Sequence, residues 1–331
     1  MTGGRWRGSP RRATFKDLNV PSESLLIFSD VHLGSDLSDC AQNVVRRSPA
    51  IDRDLCRFLA HYRAEVPPSG RWRIVVAGDF IDFIGMAIAP DAASVDTACT
   101  EEESEHGLGN AADHARMKLR RVAARHADVL EELARFVAAG HALTLVHGNH
   151  DIEFHWPSVQ DDFRALIVER ARAVAPDADP SRLSERVEFS PWFFYREGVV
   201  YIEHGHQYDE YCSTEHVMAP LSPLDPRRLA RGFTEILLRY VVRPTRGMRE
   251  HGHETSGIAH YLTFGARLGL RGLLRLGGNF ASAVLEMFRL RRAHFSEAAR
   301  SLRAEHERRV SLLAEASRIG VDRLRALLSL Q

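Results

Sequence analysis

His147-Gly148-Asn149-His150-Asp151 follows directly on the apolar run Leu143-Thr144-Leu145-Val146. A short apolar run that stops at polar residues and glycine predicts a buried strand, here one that delivers Asn, His and Asp side chains at its end. The chain does the same twice earlier. Leu25-Leu26-Ile27-Phe28 runs into Ser29-Asp30-Val31-His32, and Ile74-Val75-Val76-Ala77 runs into Gly78-Asp79-Phe80-Ile81-Asp82. Three strands ending in metal-competent side chains predict one site at the C-terminal edge of one sheet.

Working outward, the spacing of Leu55, Phe58, Leu59 and Tyr62 predicts a helix over 52–63 between the first two strands. A second helix is expected over 114–139, on the stripe Met117, Val122, Val129, Leu130, Leu133, Phe136 and Val137. Strand, helix, strand in this order favours parallel pairing. Residues 89–110, rich in Ala, Asp and Glu, are expected to form a solvated acidic insertion near the site mouth. Beyond Asp151, a helix is expected over 159–175. Three β-like runs follow (187–190, 192–196 and 199–203), the last two joined through Glu197-Gly198 as a hairpin. The final run reads as a fourth strand that empties Glu203-His204-Gly205-His206 into a loop.

From Tyr211 the β pattern disappears, and 228–242, 258–290 and 294–330 are helical in pattern. Arg267, Arg271 and Arg275 recur every four residues beside a Leu-rich surface. Such a stripe is either a solvated face of a helical subdomain or a basic amphipathic face for an anionic lipid surface. Formal net charge over the whole chain is zero, but residues 211–331 carry 20 Arg against 11 Asp or Glu, about +9, leaving about −9 on residues 1–210. An acidic cleft suits divalent cations, and a basic surface suits phosphates or lipid headgroups. Residues 1–20 read as a flexible basic arm, 21–210 as the core, and 211–331 as a helical basic cap or insertion. The four cysteines (Cys40, Cys56, Cys99, Cys212) form no Cys-x-x-Cys pair, which argues against a disulfide framework and for a reducing cytoplasm. Neither a signal peptide nor a run of about 20 apolar residues is visible. The expected location is therefore cytoplasmic, with peripheral contact at the inner membrane face as an extension of it.

Asp30-Val-His32, Gly78-Asp79-x-x-Asp82, Gly148-Asn149-His150-Asp151 and His204 succeed one another in an order that resembles the calcineurin-like metallophosphoesterases, over roughly residues 24–210. The strand-His-Gly ending at His204 resembles most the branch that hydrolyses UDP-2,3-diacylglucosamine. The resemblance implies an α/β fold, a layered β core flanked by helices with a mostly helical cap after it. It also implies a centre of two divalent ions, Mn²⁺ first with Fe or Zn²⁺ as alternatives. Two such ions about 4 Å apart shield a phosphoryl group and generate a metal-bound hydroxide at neutral pH, and mixed carboxylate, imidazole and amide donors suit those metals better than Ca²⁺.

By the same resemblance, Asp30 and His32 would ligate the first ion, Asp79 would bridge, and Asn149 and His204 would ligate the second. His150 would be the general acid, oriented and charged by Asp82, and Asp151 would support the loop. His147 and His155 are expected to be bystanders, and His61, His114, His126 and His141 to need no special role. The family closes its site with a Gly-His-x-His block after a later strand, and residues 207–331 offer none. His251-Gly252-His253 has the spacing without the strand, and His206 is the other candidate substitute. The branch inserts helices before that block, so the chain is expected to end short of it, as a fragment or a degenerate protein would.

The function implied is hydrolysis of a phosphodiester, pyrophosphate or phosphomonoester, on a phosphorylated small-molecule or lipid-linked substrate. Alternatives are a metal-binding protein of the same fold with little catalysis, and a nuclease, which the acidic core disfavours.

Overall fold

Leu25–Phe28, Ile74–Ala77 and Leu143–Val146 are apolar enough to be covered on both faces, which is the requirement for a parallel sheet. In a computed structural model that describes residues 23–40, 47–91, 94–245 and 269–330, they form one. Ser24–Phe28 (β1), Trp72–Ala77 (β2), Ala142–Val146 (β3) and Val187–Ser190 (β4) are hydrogen-bonded in the order β1-β2-β3-β4, every pair parallel. The protein is α/β, with helices dominating its C-terminal part. Phe28 pairs with Val76 and Ala77 with Val146, so the first three strands stop within a residue of each other. That common ending places the three polar loops side by side.

Helices cover one face. Pro49–Ala64 (α1) starts at the Ser48 cap with proline in its first turn, as helix starts favour. Ala112–Arg125 (α3) and Ala127–Ala138 (α4) lie between β2 and β3, and Pro157–Val174 (α5) and Pro180–Glu185 (α6) between β3 and β4. Ile74, Val76, Leu143 and Leu145 point into this layer, against Leu59, Leu130, Leu133 and Phe163. Alternate residues Val75, Ala77 and Val146 face the other way, onto Ile202, Phe194 and Val200 of a two-stranded antiparallel hairpin, Phe193–Arg196 (β5) and Val200–Glu203 (β6). The strand period of two thus separates a helix face from a hairpin face.

Four expectations change. The runs at 192–196 and 199–203 form the hairpin expected through Glu197-Gly198, β5 and β6, but as a separate two-stranded sheet; the fourth strand of the main sheet is β4. Pro191, following β4, cannot extend the ladder, and the chain turns to lay the hairpin across the sheet. The helix expected over 114–139 is two helices, broken at His126 (φ −115°, ψ 39°). The His126 ring accepts from the Gly34 amide through Nε2 (3.0 Å) and donates through Nδ1 to Asp52 (2.6 Å), a tertiary anchor that periodicity cannot show. The helices expected over 228–242 and 294–330 are also divided. The first is reduced to Phe233–Leu237 (α7) with a π-helical turn, Leu238–Val242, and the second becomes Glu297–Ser317 (α9) and Val321–Leu328 (α10), split at Arg318 (φ 57°) and Gly320. Between them runs Gly269–Ala293 (α8); the start of the helix expected over 258–290 and Arg267 lie outside the described residues.

Finally, the insertion at 89–110 is not solvated throughout. Glu101–His106 (α2) starts with a capping box made by Thr100 and Glu103. Glu103 is fully buried and accepts from Arg228 at Nε (2.8 Å) and Nη2 (2.7 Å), while Glu102 accepts from Arg231 (2.8 Å) and pairs with Arg239. The acidic run is therefore the dock for the arginines that follow residue 227, a complementarity between distant segments. Farther on, α9 and α10 pack on Trp192 and Phe193 through Val310, Ala314 and Leu324. No helix among the described residues is long and apolar enough to cross a membrane.

The half-buried Glu102 carboxyl makes the dock sensitive to pH. Burial opposes its ionisation, but Arg239 and Arg231 outweigh this and hold it at about 2, against an ordinary 4.5. A lowered carboxylate adds stability above its unfolded pKa that disappears as pH falls through the folded one. We expect Glu102→Gln to cost about 3 kcal/mol at pH 7, a difference that shrinks as pH falls from 5 to 2. Urea unfolding of both chains across that range checks it; a difference that does not change with pH would contradict it.

Candidate functional site

The ladder between β1 and β2 does not stop at the strands. Asp30 N–H donates to Gly78 O (3.2 Å), His32 N–H to Asp79 O (2.9 Å), Leu33 N–H to Phe80 O (2.9 Å) and Asp82 N–H to Leu33 O (2.9 Å). The loops that carry the functional groups are thus fastened to each other as firmly as strands. Three of the four non-glycine residues with left-handed φ among the described residues lie here: Asp30 (56°), His32 (50°) and Asp79 (55°). Asp and His tolerate that region better than most residues, yet each such position costs of order 1–3 kcal/mol and tends to mark a functional site.

The structure brings Asp30, Asp79 and His204 together, with one donor atom from each within 4.8 Å of the others. His204 Nε2 lies 3.4 Å from Asp79 Oδ2 and 3.2 Å from Asn149 Oδ1. His204 Nδ1 donates to Ala77 O (2.9 Å), which fixes the ring and leaves Nε2 facing the acids. A backbone carbonyl behind the ring is the usual second partner of a metal-ligating histidine. His32 Nε2 approaches the same oxygen, 3.6 Å from Asp79 Oδ2, and lies 3.9 Å from Asp30 Oδ1. Asp79 Oδ2 therefore faces both His32 and His204, with Asp30 and Asn149 beside them. Burial raises its pKa, but the hydrogen bond to His204 and the charges of His150 and His204 outweigh this and hold it at about 2. An ionised, buried carboxylate beside two imidazoles and an amide oxygen fits divalent cations of the borderline class.

His150 stands beside this group, its ring edge-on to that of His32 at 4.6 Å. Its Nδ1 donates to Asp82 Oδ1 at 2.6 Å. Burial alone would disfavour the imidazolium, but the Asp82 charge and hydrogen bond push the pKa up to about 10. Asp82 is fully buried and held well below the carboxylate range, its partners His150 and His32 outweighing the cost of burial. His32, Asp82 and His150 also lie within mutual ligand distance and could hold a cation. The 2.6 Å bond from His150 to Asp82 favours the orienting arrangement instead, since it occupies one nitrogen of the ring.

Asp151 is buried and accepts from Gly148 N–H (2.7 Å) and Phe80 N–H (2.8 Å), joining the β2 and β3 loops. His150 N–H donates to Asp79 Oδ1 (2.9 Å) from the same turn. Close approach explains the glycines. A Cβ on Gly78 would lie 2.4 Å from the His204 ring, and one on Gly148 would lie 2.0 Å from Asp79 Oδ1. Gly148→Ala should therefore displace the Asp79 carboxylate. We expect Mn²⁺ affinity to fall at least about 10-fold, the lower range for disturbing a metal's outer partners, as measured by equilibrium dialysis; unchanged affinity would contradict the packing.

Sequence reasoning missed several supporting residues. Gly85 N–H donates to Asp82 Oδ1 (2.7 Å), and a Cβ there would lie 2.2 Å from Asp82 Oδ2. Arg47 Nη1 donates to Val31 O (2.5 Å) and His32 O (2.9 Å). The buried Lys118 donates to Phe83 O (2.8 Å), and Phe83 N–H in turn donates to His150 O (2.9 Å). His126 is not idle either, since it anchors Gly34 just after the first loop. The Asp82-x-x-Gly85 spacing was the one available signal; Arg47 and Lys118 act across distances in sequence that no motif records. His206 is buried, its ring 5.5 Å from that of His204. His147 is buried on the same loop as Asn149, and burial pushes its pKa down to about 3. His251 and His253 lie outside the described residues. A second cluster, Cys99, Glu103 and His114, has its groups already engaged: His114 contacts Thr97 O and the Gly109 amide, and Glu103 holds Arg228.

No protein-family model, curated protein or solved structure matches the chain.

Proposed function

We propose that the chain is a metal-dependent phosphoesterase of the calcineurin-like kind, holding two divalent cations and hydrolysing a phosphodiester, pyrophosphate or phosphomonoester. One observation carries the reading: Asp79 Oδ2 lies within 3.6 Å of both His32 and His204, Asp30 and Asn149 stand beside them, and His150, tethered to Asp82, adjoins the group. Asp30, His32 and Asp79 would hold one cation and Asp79, Asn149 and His204 the other, with Mn²⁺ first among the metals. When bound, such a pair neutralises a phosphoryl group and activates water.

The chain's own residues do the rest. With Nδ1 committed to Asp82, His150 has Nε2 left to serve as the donor. The Asp82 charge favours the protonated ring, which suits donation of a proton to a leaving oxygen. Asp82, itself fixed by the Gly85 amide, holds the ring's tautomer and angle. Asp151 keeps the Gly148–Asp151 turn against the Gly78–Asp82 turn, so the acid and the cation donors stay in register.

The test is the full chain loaded with Mn²⁺ and assayed on bis-p-nitrophenyl phosphate. Turnover that chelation removes and Mn²⁺ restores is expected. Metal binding without turnover would favour the low-activity alternative. Salt-sensitive cleavage of DNA or RNA in preference to small diesters would favour a nuclease.

A further inference from the structure

The long helix α8 has two apolar sides, and among the described residues only one is packed. Leu276 and Ala283, with Phe280, Met287 and Leu290, pack on Ile236, Val241 and Val242 of the α7 region. On the other side Leu270 is 74% exposed, Leu274 69%, Leu285 69% and Phe288 59%, and Phe295 just beyond the helix is 89% exposed. At 100° per residue the four helical ones fall within roughly 60° of each other, a continuous stripe rather than scattered exposure. Large exposed apolar patches of this kind mark interaction surfaces.

The charges around the stripe identify what it meets. Arg271, Arg275 and Arg289 line one flank, Arg291 the other, and Arg292 lies within it, all exposed. The helix has a single acidic residue, Glu286, whose mostly buried side chain pairs with Arg289 at 3.7 Å. Two copies of the stripe laid together would set Arg271, Arg275, Arg291 and Arg292 against one another with no further acidic residue on the helix. An anionic bilayer surface satisfies both features at once, taking the leucines and phenylalanines into the headgroup–acyl boundary and the guanidinium groups onto phosphates. We infer that the α8 face formed by Leu270, Leu274, Leu285 and Phe288 docks the protein onto an anionic membrane surface, lying in it rather than crossing it. This does not depend on the phosphoesterase reading, and either can fail alone.

Flotation of the full chain with vesicles of phosphatidylglycerol and phosphatidylcholine, against vesicles of phosphatidylcholine alone, tests it. The chain is expected to float with the anionic vesicles only, less so as salt rises. The double variant Leu274→Glu/Leu285→Glu should reduce partitioning at least about 10-fold with an unchanged melting temperature, because both side chains are exposed. Arg271→Gln/Arg275→Gln, which leaves the apolar stripe intact, should weaken binding several-fold. Failure of the native chain to float would overturn the inference, as would equal flotation of the Leu→Glu variant. A dimer in sedimentation that the Leu→Glu variant abolishes, without vesicle binding, would assign the face to a second copy instead.

Discussion

Asp79→Asn is expected to abolish tight binding of both cations and bring phosphodiester turnover to background. The substitution is informative because so little else changes. Asparagine matches aspartate in shape and is also at ease in the left-handed region that Asp79 occupies (φ 55°). Its Oδ1 can still accept the His150 amide, now at 2.9 Å. What disappears is the charge that faces both His32 and His204, at 3.6 and 3.4 Å. Removing an outer partner of a metal ligand typically costs 10–100-fold in affinity, so loss of the shared carboxylate should exceed about 100-fold. Calorimetric titration with Mn²⁺ measures this. Affinity within about 10-fold of the native chain would mean that Asp79 is not shared between two ions.

The second large effect is at His150. His150→Ala should retain both cations, since the donors around Asp79 remain, while kcat falls by about 10²–10⁴, the usual contribution of a general acid. The size should depend on the leaving group. p-Nitrophenolate leaves with little help, whereas an alkoxide needs a proton, so the loss should be larger for an alkyl ester than for bis-p-nitrophenyl phosphate. Equal losses on both would assign His150 to phosphate binding rather than proton transfer. Asp82→Asn, which keeps the hydrogen-bonding shape but removes the charge that outweighs burial at His150, should give an intermediate loss.

The main sheet and the grouping of the site were legible because each rests on a local pattern. Apolar runs ending in Asp30, Asp79 and Asn149 needed only parallel, in-register pairing to bring those residues together, and the strand–helix–strand order supplied it. His204 was legible as a strand-end residue and its hairpin through Glu197-Gly198 as well, but not where that hairpin packs. Nothing local distinguishes an edge strand of the main sheet from a hairpin packed across its face, because both bury one apolar side. The break at His126 and the dock of Glu102 and Glu103 on Arg228, Arg231 and Arg239 were hidden for a common reason. Each depends on a polar partner far away in sequence, and a buried ion pair looks, residue by residue, like a solvated surface. The left-handed backbone at Asp30, His32 and Asp79 was equally invisible, since residue type permits that conformation without requiring it.

The central claim, a carboxylate shared between two cations that act on a phosphate ester, is tested most directly by counting Mn²⁺ bound to the purified full chain while following phosphodiester turnover in the same titration. The account predicts two ions per chain, with turnover appearing as the second site fills and vanishing on chelation. Binding of no ion, or of a single ion without turnover at any metal concentration, would contradict it.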